Sequence, residues 1–296
     1  MSTLYKKILV LVCVSFQTLF AQNRTNNKDI VIIESQKALK AFGEKKITKF
    51  KGSLIIKNAS DLSPLITLKE IGGTLIIGDH TPTGEIQNPE LTSLNGLQNL
   101  VKIGGSLSFH SNPKLKNFDE LNNLKYIGGS LEIMNNKALL SLDGFNAVTF
   151  IGERLDIWMN PLLEKIHTFY NIKEIKSRLS IYDNNKLNDI SGFSKVKKIG
   201  NDLMIKENDK LTDLRGFDSL EVIENRLELN SNYFLVEVNT FKNLTKVGFL
   251  QMRNNTRLKK ICGLEKLKVT KDKLDIQYNY VDFTIVNGKF DLSNCK

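Results

Sequence analysis

Apolar residues return along this chain with a period much longer than that of a helix or a strand. Leu107, Leu131, Leu155, Leu179, Leu203 and Leu227 stand 24 residues apart, followed by Leu250 after 23 and Leu274 after another 24. Two places after each comes a second apolar residue: Phe109, Ile133, Ile157, Ile181, Ile205, Leu229, Met252 or Ile276. Alternation of this kind puts both residues on one face of a short strand. One such strand per period predicts turns that stack into a parallel sheet, the mark of a solenoid.

Each period also carries an asparagine five places after its leading leucine: Asn112, Asn136, Asn160, Asn184, Asn208, Asn232, Asn255 and Asn279. A side-chain amide at a tight corner can bond backbone groups of its own turn and the next, so these asparagines predict an internal structural ladder. The rest of each period is apolar in register too. Leu115, Leu139 and Leu163 open one column, and Phe145, Phe169, Phe193, Phe217 and Phe241 dominate another. No single turn can bury such a face, whereas stacked turns bury it against one another.

The ends depart from the period, as solenoid caps do. Ile30 to Ile33 reads as a strand, and Ser35 introduces a helical stretch from Gln36 to Phe42 that Gly43 stops. After Leu274 the spacing decays between Phe283 and Leu292. Leu75 and Leu107 are 32 residues apart, so an insertion around Gly78 to Asn88, with His80, Pro82 and Gly84, is expected to protrude as a loop. The implied organisation is a segment 1–21 that is removed, a short tail 22–28, and one repeat domain over 29–296.

The run Ile-Gly-Gly-x-Leu, at Ile71 to Leu75, Ile103 to Leu107 and Ile127 to Leu131, followed by x-Ile-x-x-Asn, resembles the receptor L-domain family over about residues 29 to 295. That resemblance implies a right-handed β-helix of roughly 24-residue leucine-rich turns, of the exported microbial type, used as a ligand-binding lobe. Glu153 and Arg154, Ser177 and Arg178, and Glu224 and Asn225 replace the glycine pair in later turns, so different corners are expected there. The alternative fold is a leucine-rich-repeat horseshoe with outer helices. Short connections such as Asn122 to Ile127 leave little room for a helix.

Charge and cysteines narrow the setting. Lys6 and Lys7 precede an apolar run from Ile8 to Phe20 that ends at Ala21, which reads as a secretory signal cleaved after Ala21. The run is too short to span a membrane, and Val12 before Cys13 argues against lipoprotein processing. Removing it takes the net charge from +10 to +8, with lysines scattered along the chain and no compact nucleic-acid stripe. Cys262 and Cys295 remain, and two cysteines in an exported chain predict a disulfide; further Cys or His at metal-ligand spacing is lacking, so neither metal nor cofactor is expected.

Alternation turns the first and third places after each leading leucine outward. The third place reads His110, Met134, Trp158 and Tyr182 on consecutive turns, then Lys206, Asn230, Arg253 and Gln277. Large side chains with much area and little rotamer entropy make that ribbon the candidate ligand-binding face. Self-stacking that merely shields the sheet is its bland alternative. Met159 extends the patch if its corner faces out.

The first place brings Glu132 and Asp156 together, the one pairing that a retaining glycosidase could use, though without any accompanying basic or metal-binding cluster. His80, His110 and His167 occupy different places in their turns and support no shared metal or triad, and the glycine pairs lead into strands and so form no phosphate loop. The expected function is thus an extracellular or cell-surface module that binds a protein or glycan without catalysis. A structural or adhesive surface component is the second reading, and a carbohydrate-active enzyme the third.

Overall fold

The computed structural model describes residues 30–78, 88–268, 270–280, 285–286 and 288–290. Its main feature is a 13-stranded sheet in which successive strands pair parallel and in register: Leu107 opposite Leu131, Leu131 opposite Leu155, Leu155 opposite Leu179 and Leu179 opposite Leu203. Partners are 24 residues apart along the chain, so each pass returns a leucine beside the last one. A second sheet has five two-residue strands, from Lys49–Phe50 to Phe150–Ile151, also parallel. From Lys49–Phe50 to Phe150–Ile151 each pass crosses both sheets and turns at the corner between them. This is a solenoid-like stack.

The corners follow from residue type. At Gly128 a Cβ would lie 2.0 Å from the Gly104 carbonyl oxygen of the preceding turn, so a side chain cannot be added without moving backbone. Where Glu224 and Asn225 take the place of the glycine pair, one strand runs unbroken from Val222 to Asn230, with an irregular register between Ile223 and Arg226. That strand takes the later counterparts of the narrow sheet's strands, Lys198–Ile199 and through it Glu174–Ile175, into the main sheet. The expectation of different corners holds at this turn.

A single apolar core runs from Ile33 to Phe290. At its centre Phe145, Phe169, Phe193, Phe217 and Phe241 stack with ring centroids 5.5–5.8 Å apart. Beside them runs the asparagine ladder, which begins one turn earlier than the regular period indicated, at Asn88. Asn136 is representative: its Oδ1 accepts from the backbone N–H and the Nδ2 of Asn112, while its own Nδ2 donates to the Phe109 and Met134 carbonyls. From Asn112 on, these bonds hold the residue before each asparagine in the left-handed region, Met159 at φ 55° and Asp183 at φ 54° among them, a conformation unfavourable for residues other than glycine.

Among the described residues the only α-helix is Gln36–Gly43, whose N-cap Ser35 accepts from the Ala38 N–H and which buries Leu39 and Phe42 over the first turn. The sides away from the main sheet carry 3-10 turns such as Asp143–Phe145, not the outer α-helices of a horseshoe. The chain 79–87, with His80, Pro82 and Gly84, lies outside the described residues, as do residues 1–29, on which the expected signal and tail fall, and Cys295.

Candidate functional site

The outward side of the main sheet is where the predicted ribbon lies. Strands Leu107–His110, Leu131–Met134, Leu155–Trp158 and Leu179–Tyr182 run side by side and pair His110 with Met134, Met134 with Trp158, and Trp158 with Tyr182. The four residues therefore form one column. Their exposure does not match the expectation: His110 is 1% and Met134 6% exposed, while Trp158 and Tyr182 are partly exposed. Alternation correctly sends a side chain to the outward side, but long neighbours then decide whether water reaches it. The accessible part of the ribbon begins at Trp158.

The neighbours are charged. Glu132 and Asp156, side by side in the first-place column, are both buried. Arg154 rises from the place just before the leading leucine, where earlier turns hold Ser106 and Ser130, and bonds both acids, its Nε 3.2 Å from Glu132 Oε1 and 3.1 Å from Asp156 Oδ2. Arg178, at the equivalent corner one turn on, grips Asp156 with two nitrogens at 3.1 and 2.8 Å. Ser108 Oγ donates to Glu132 Oε2 at 3.3 Å, and His110 Nε2 lies equally close to that oxygen.

Burial alone would raise the Glu132 carboxyl, but His110 and Arg154 against it hold the pKa down at about 2. For Asp156 burial prevails and pushes the pKa up, against the pull of Arg178, with the neighbouring Glu132 adding to the rise. The two acids are thus locked under guanidinium groups. A retaining glycosidase needs one carboxyl free to attack and another free to protonate, and this arrangement leaves neither open.

What the network does instead is hold Trp158. The Arg178 guanidinium sits 5.4 Å from the indole centroid, the indole N–H donates to the buried Ser180 hydroxyl at 2.8 Å, and Tyr182 meets the ring edge-on at 6.3 Å and 87°. An indole fixed by a cation, a hydrogen bond and a second ring loses little entropy when something binds it. Met159 follows at the left-handed corner, partly exposed.

The chain matches no protein-family model, and no curated protein is similar to it in sequence.

Beyond Tyr182 the column turns polar and ion-paired. Lys206 Nζ is 2.9 Å from Glu228, and Arg253 pairs with Asp275. His167 lies elsewhere, 2.9 Å from Asp189 and apart from His110. Among the described residues no group of three or more His, Cys, Asp or Glu is arranged to hold a metal ion, and no helix is long and apolar enough to cross a membrane. Sequence reasoning treated Arg154 and Arg178 only as departures from a glycine pair. Their spacing of 24 residues, each just before a leading leucine and 22 residues after an outward acid of the preceding turn, Glu132 or Asp156, was the available signal.

Proposed function

We propose that this chain is an exported binding module, a right-handed β-helix of roughly 24-residue turns of the receptor L-domain type, that recognises a protein or glycan through the outward edge of its main sheet at Trp158 and Tyr182. The observation that carries this reading is the clamped, partly exposed indole beside a second ring on a rigid parallel sheet. Aromatic anchors that need no reordering are the usual centres of recognition surfaces. Binding without turnover also fits the neutralisation of Glu132 and Asp156 by arginine.

Glycan arrays and surface cross-linking with the chain lacking residues 1–21 identify the ligand. Trp158→Ala should then weaken binding by more than about 1 kcal/mol, with Tyr182→Ala costing less. Full-strength binding by both variants, with the fold intact, sinks the reading and leaves a structural surface component in its place.

The export reading carries a second test. Cys262 opens the 3-10 turn Cys262–Leu264, and Cys295 lies outside the described residues. Pairing them would close a loop of about 33 residues and contribute roughly 3–4 kcal/mol in the chain-entropy model. Thiol labelling of the unfolded, unreduced secreted chain should find no free cysteine. Two labelled thiols per chain would end the pairing.

A further inference from the structure

The excess positive charge of this chain is gathered by the fold onto the outward side of the second, narrow sheet and its continuation. Three outward positions of each turn make up that side. The one before each two-residue strand carries Lys69, Lys125, Lys173 and Lys197 against a single acid, Glu221; the first strand position carries Lys49, Lys102, Lys198 and Lys246 against Glu70 and Glu174. The position after the strand adds Lys51 and Lys176 against Glu224. Ten lysines against four acids leave six positive charges on one side, whereas the chain from residue 22 onward carries +8 in all.

The acids do not silence this surface. Glu70 is 2.7 Å from Lys49, Glu221 is 3.2 Å from Lys197, and Glu224 is shared between Lys198, at 3.0 Å, and Lys246. Exposed pairs of this kind hold their partners weakly and exchange them readily. Lys69, Lys125 and Lys173 are exposed and have no ion-pair partner among the described residues. Lys125 and Lys173 are two turns apart, roughly 10 Å at the strand spacing, which is about one Debye length at 0.1 M salt, so their fields overlap at that ionic strength and below. From Lys49 to Lys246 the array crosses nine turns, about 40 Å at the same spacing, in straight columns.

We infer that this lysine face is a docking surface for a linear anionic polysaccharide, whose carboxylates or sulfates recur along an extended chain as the lysines recur along the solenoid. Charge complementarity names a polyanion. Two further features favour a polysaccharide over a nucleic acid. The aromatic residues on this side, Tyr126 and Phe150, are stacked on each other at 4.8 Å and 5°, with the Lys102 ammonium 5.3 Å from the Tyr126 centroid, so Tyr126 is engaged on both faces and Phe150 on one, and the pair makes no row of open platforms for successive bases. The cations in these columns are all lysine, point charges that follow a flexible line of anions, while the arginines suited to bidentate phosphate contacts, Arg154 and Arg178, are engaged with acids on the other sheet.

The test measures binding of the chain lacking residues 1–21 to immobilised polygalacturonate and to heparin, with duplex and single-stranded DNA of matched charge in parallel. The expected result is binding to at least one polysaccharide that weakens as salt is raised, and that the double variant Lys125→Glu/Lys173→Glu weakens about tenfold or more with an unchanged melting temperature. Lys125→Gln/Lys173→Gln, which only removes charge, should give an intermediate loss. Trp158→Ala should leave this binding unaltered, which separates the lysine face from the aromatic edge. The inference is overturned if neither polysaccharide binds, if the lysine variants bind as the parent does, if Trp158→Ala abolishes binding, or if DNA binds as tightly as the polysaccharides.

Discussion

The two outward faces of this molecule are built by the same turns, yet they treat charge in opposite ways. On the main sheet Glu132 and Asp156 are buried, and each is covered by an arginine reaching from a corner. On the narrow sheet lysines stand exposed, some without an ion-pair partner among the described residues. The difference begins at one position. Where the corner residue is glycine, as at Gly105 and Gly129 with Ser106 and Ser130 after them, turns are bonded by hydroxyls: Ser106 Oγ accepts from the Ser130 N–H at 3.0 Å. Where Arg154 and Arg178 stand in the equivalent place to these serines, a long cation can fold over the outward column and permit acids beneath it. Lysines on the narrow sheet have two-residue strands below them and inward-facing isoleucines, so there is no buried acid for them to cover.

Removing the cover should show the contrast most strongly. Arg154→Met leaves Glu132 and Asp156 buried side by side without their shared cation, and breaking a buried pair from one side costs about 3–5 kcal/mol. Chemical denaturation should record that loss, and a cost below 1 kcal/mol would mean that the network is open to water.

Acid titration probes the same face more gently. Glu132 ionises at about 2 in the folded chain against an ordinary 4.5. Its contribution is therefore complete above about 4.5 and is lost as the pH falls toward and through 2. Asp156 works the other way, since its raised pKa means that protonation on acidification returns stability. Glu132→Gln should flatten the acid limb of a melting-temperature profile, and Asp156→Asn should steepen it. Profiles that coincide with the parent would show that these carboxyls titrate normally.

The smallest effect belongs to the other face. Lys125→Ala should change stability by no more than about 0.5 kcal/mol, because the ammonium has no partner among the described residues to lose. A larger cost would reveal a structural role and remove Lys125 from the docking surface.

Much of the architecture was legible in the chain itself. A leucine, an isoleucine two places on and an asparagine five places on, repeated at 24 residues, determine strand, inward face and corner, because burial and amide pairing are satisfied only when equivalent places stack. Asn88 escaped this reading because the insertion before it breaks the count, although its buried amide joins the ladder to Asn112 at 2.8 Å. The outward places were harder. Period alone assigns His110, Met134, Trp158 and Tyr182 to one side of a sheet, but it does not register side chains arriving from other positions, so the burial of His110 and Met134 and the clamp on Trp158 were not readable from it.

By itself, then, the sequence determined the repeat, the inward columns and the net positive charge, all of which are sums or periods along one dimension. Only the tertiary structure decided where that charge lies. Lysines spread along the chain from Lys49 to Lys246 look diffuse when read in order, and become one face when successive turns stack at strand spacing. Folding likewise set Arg154 against Glu132, 22 residues away in sequence, because whether a charge is paired depends on distance through space and on the water left between the partners.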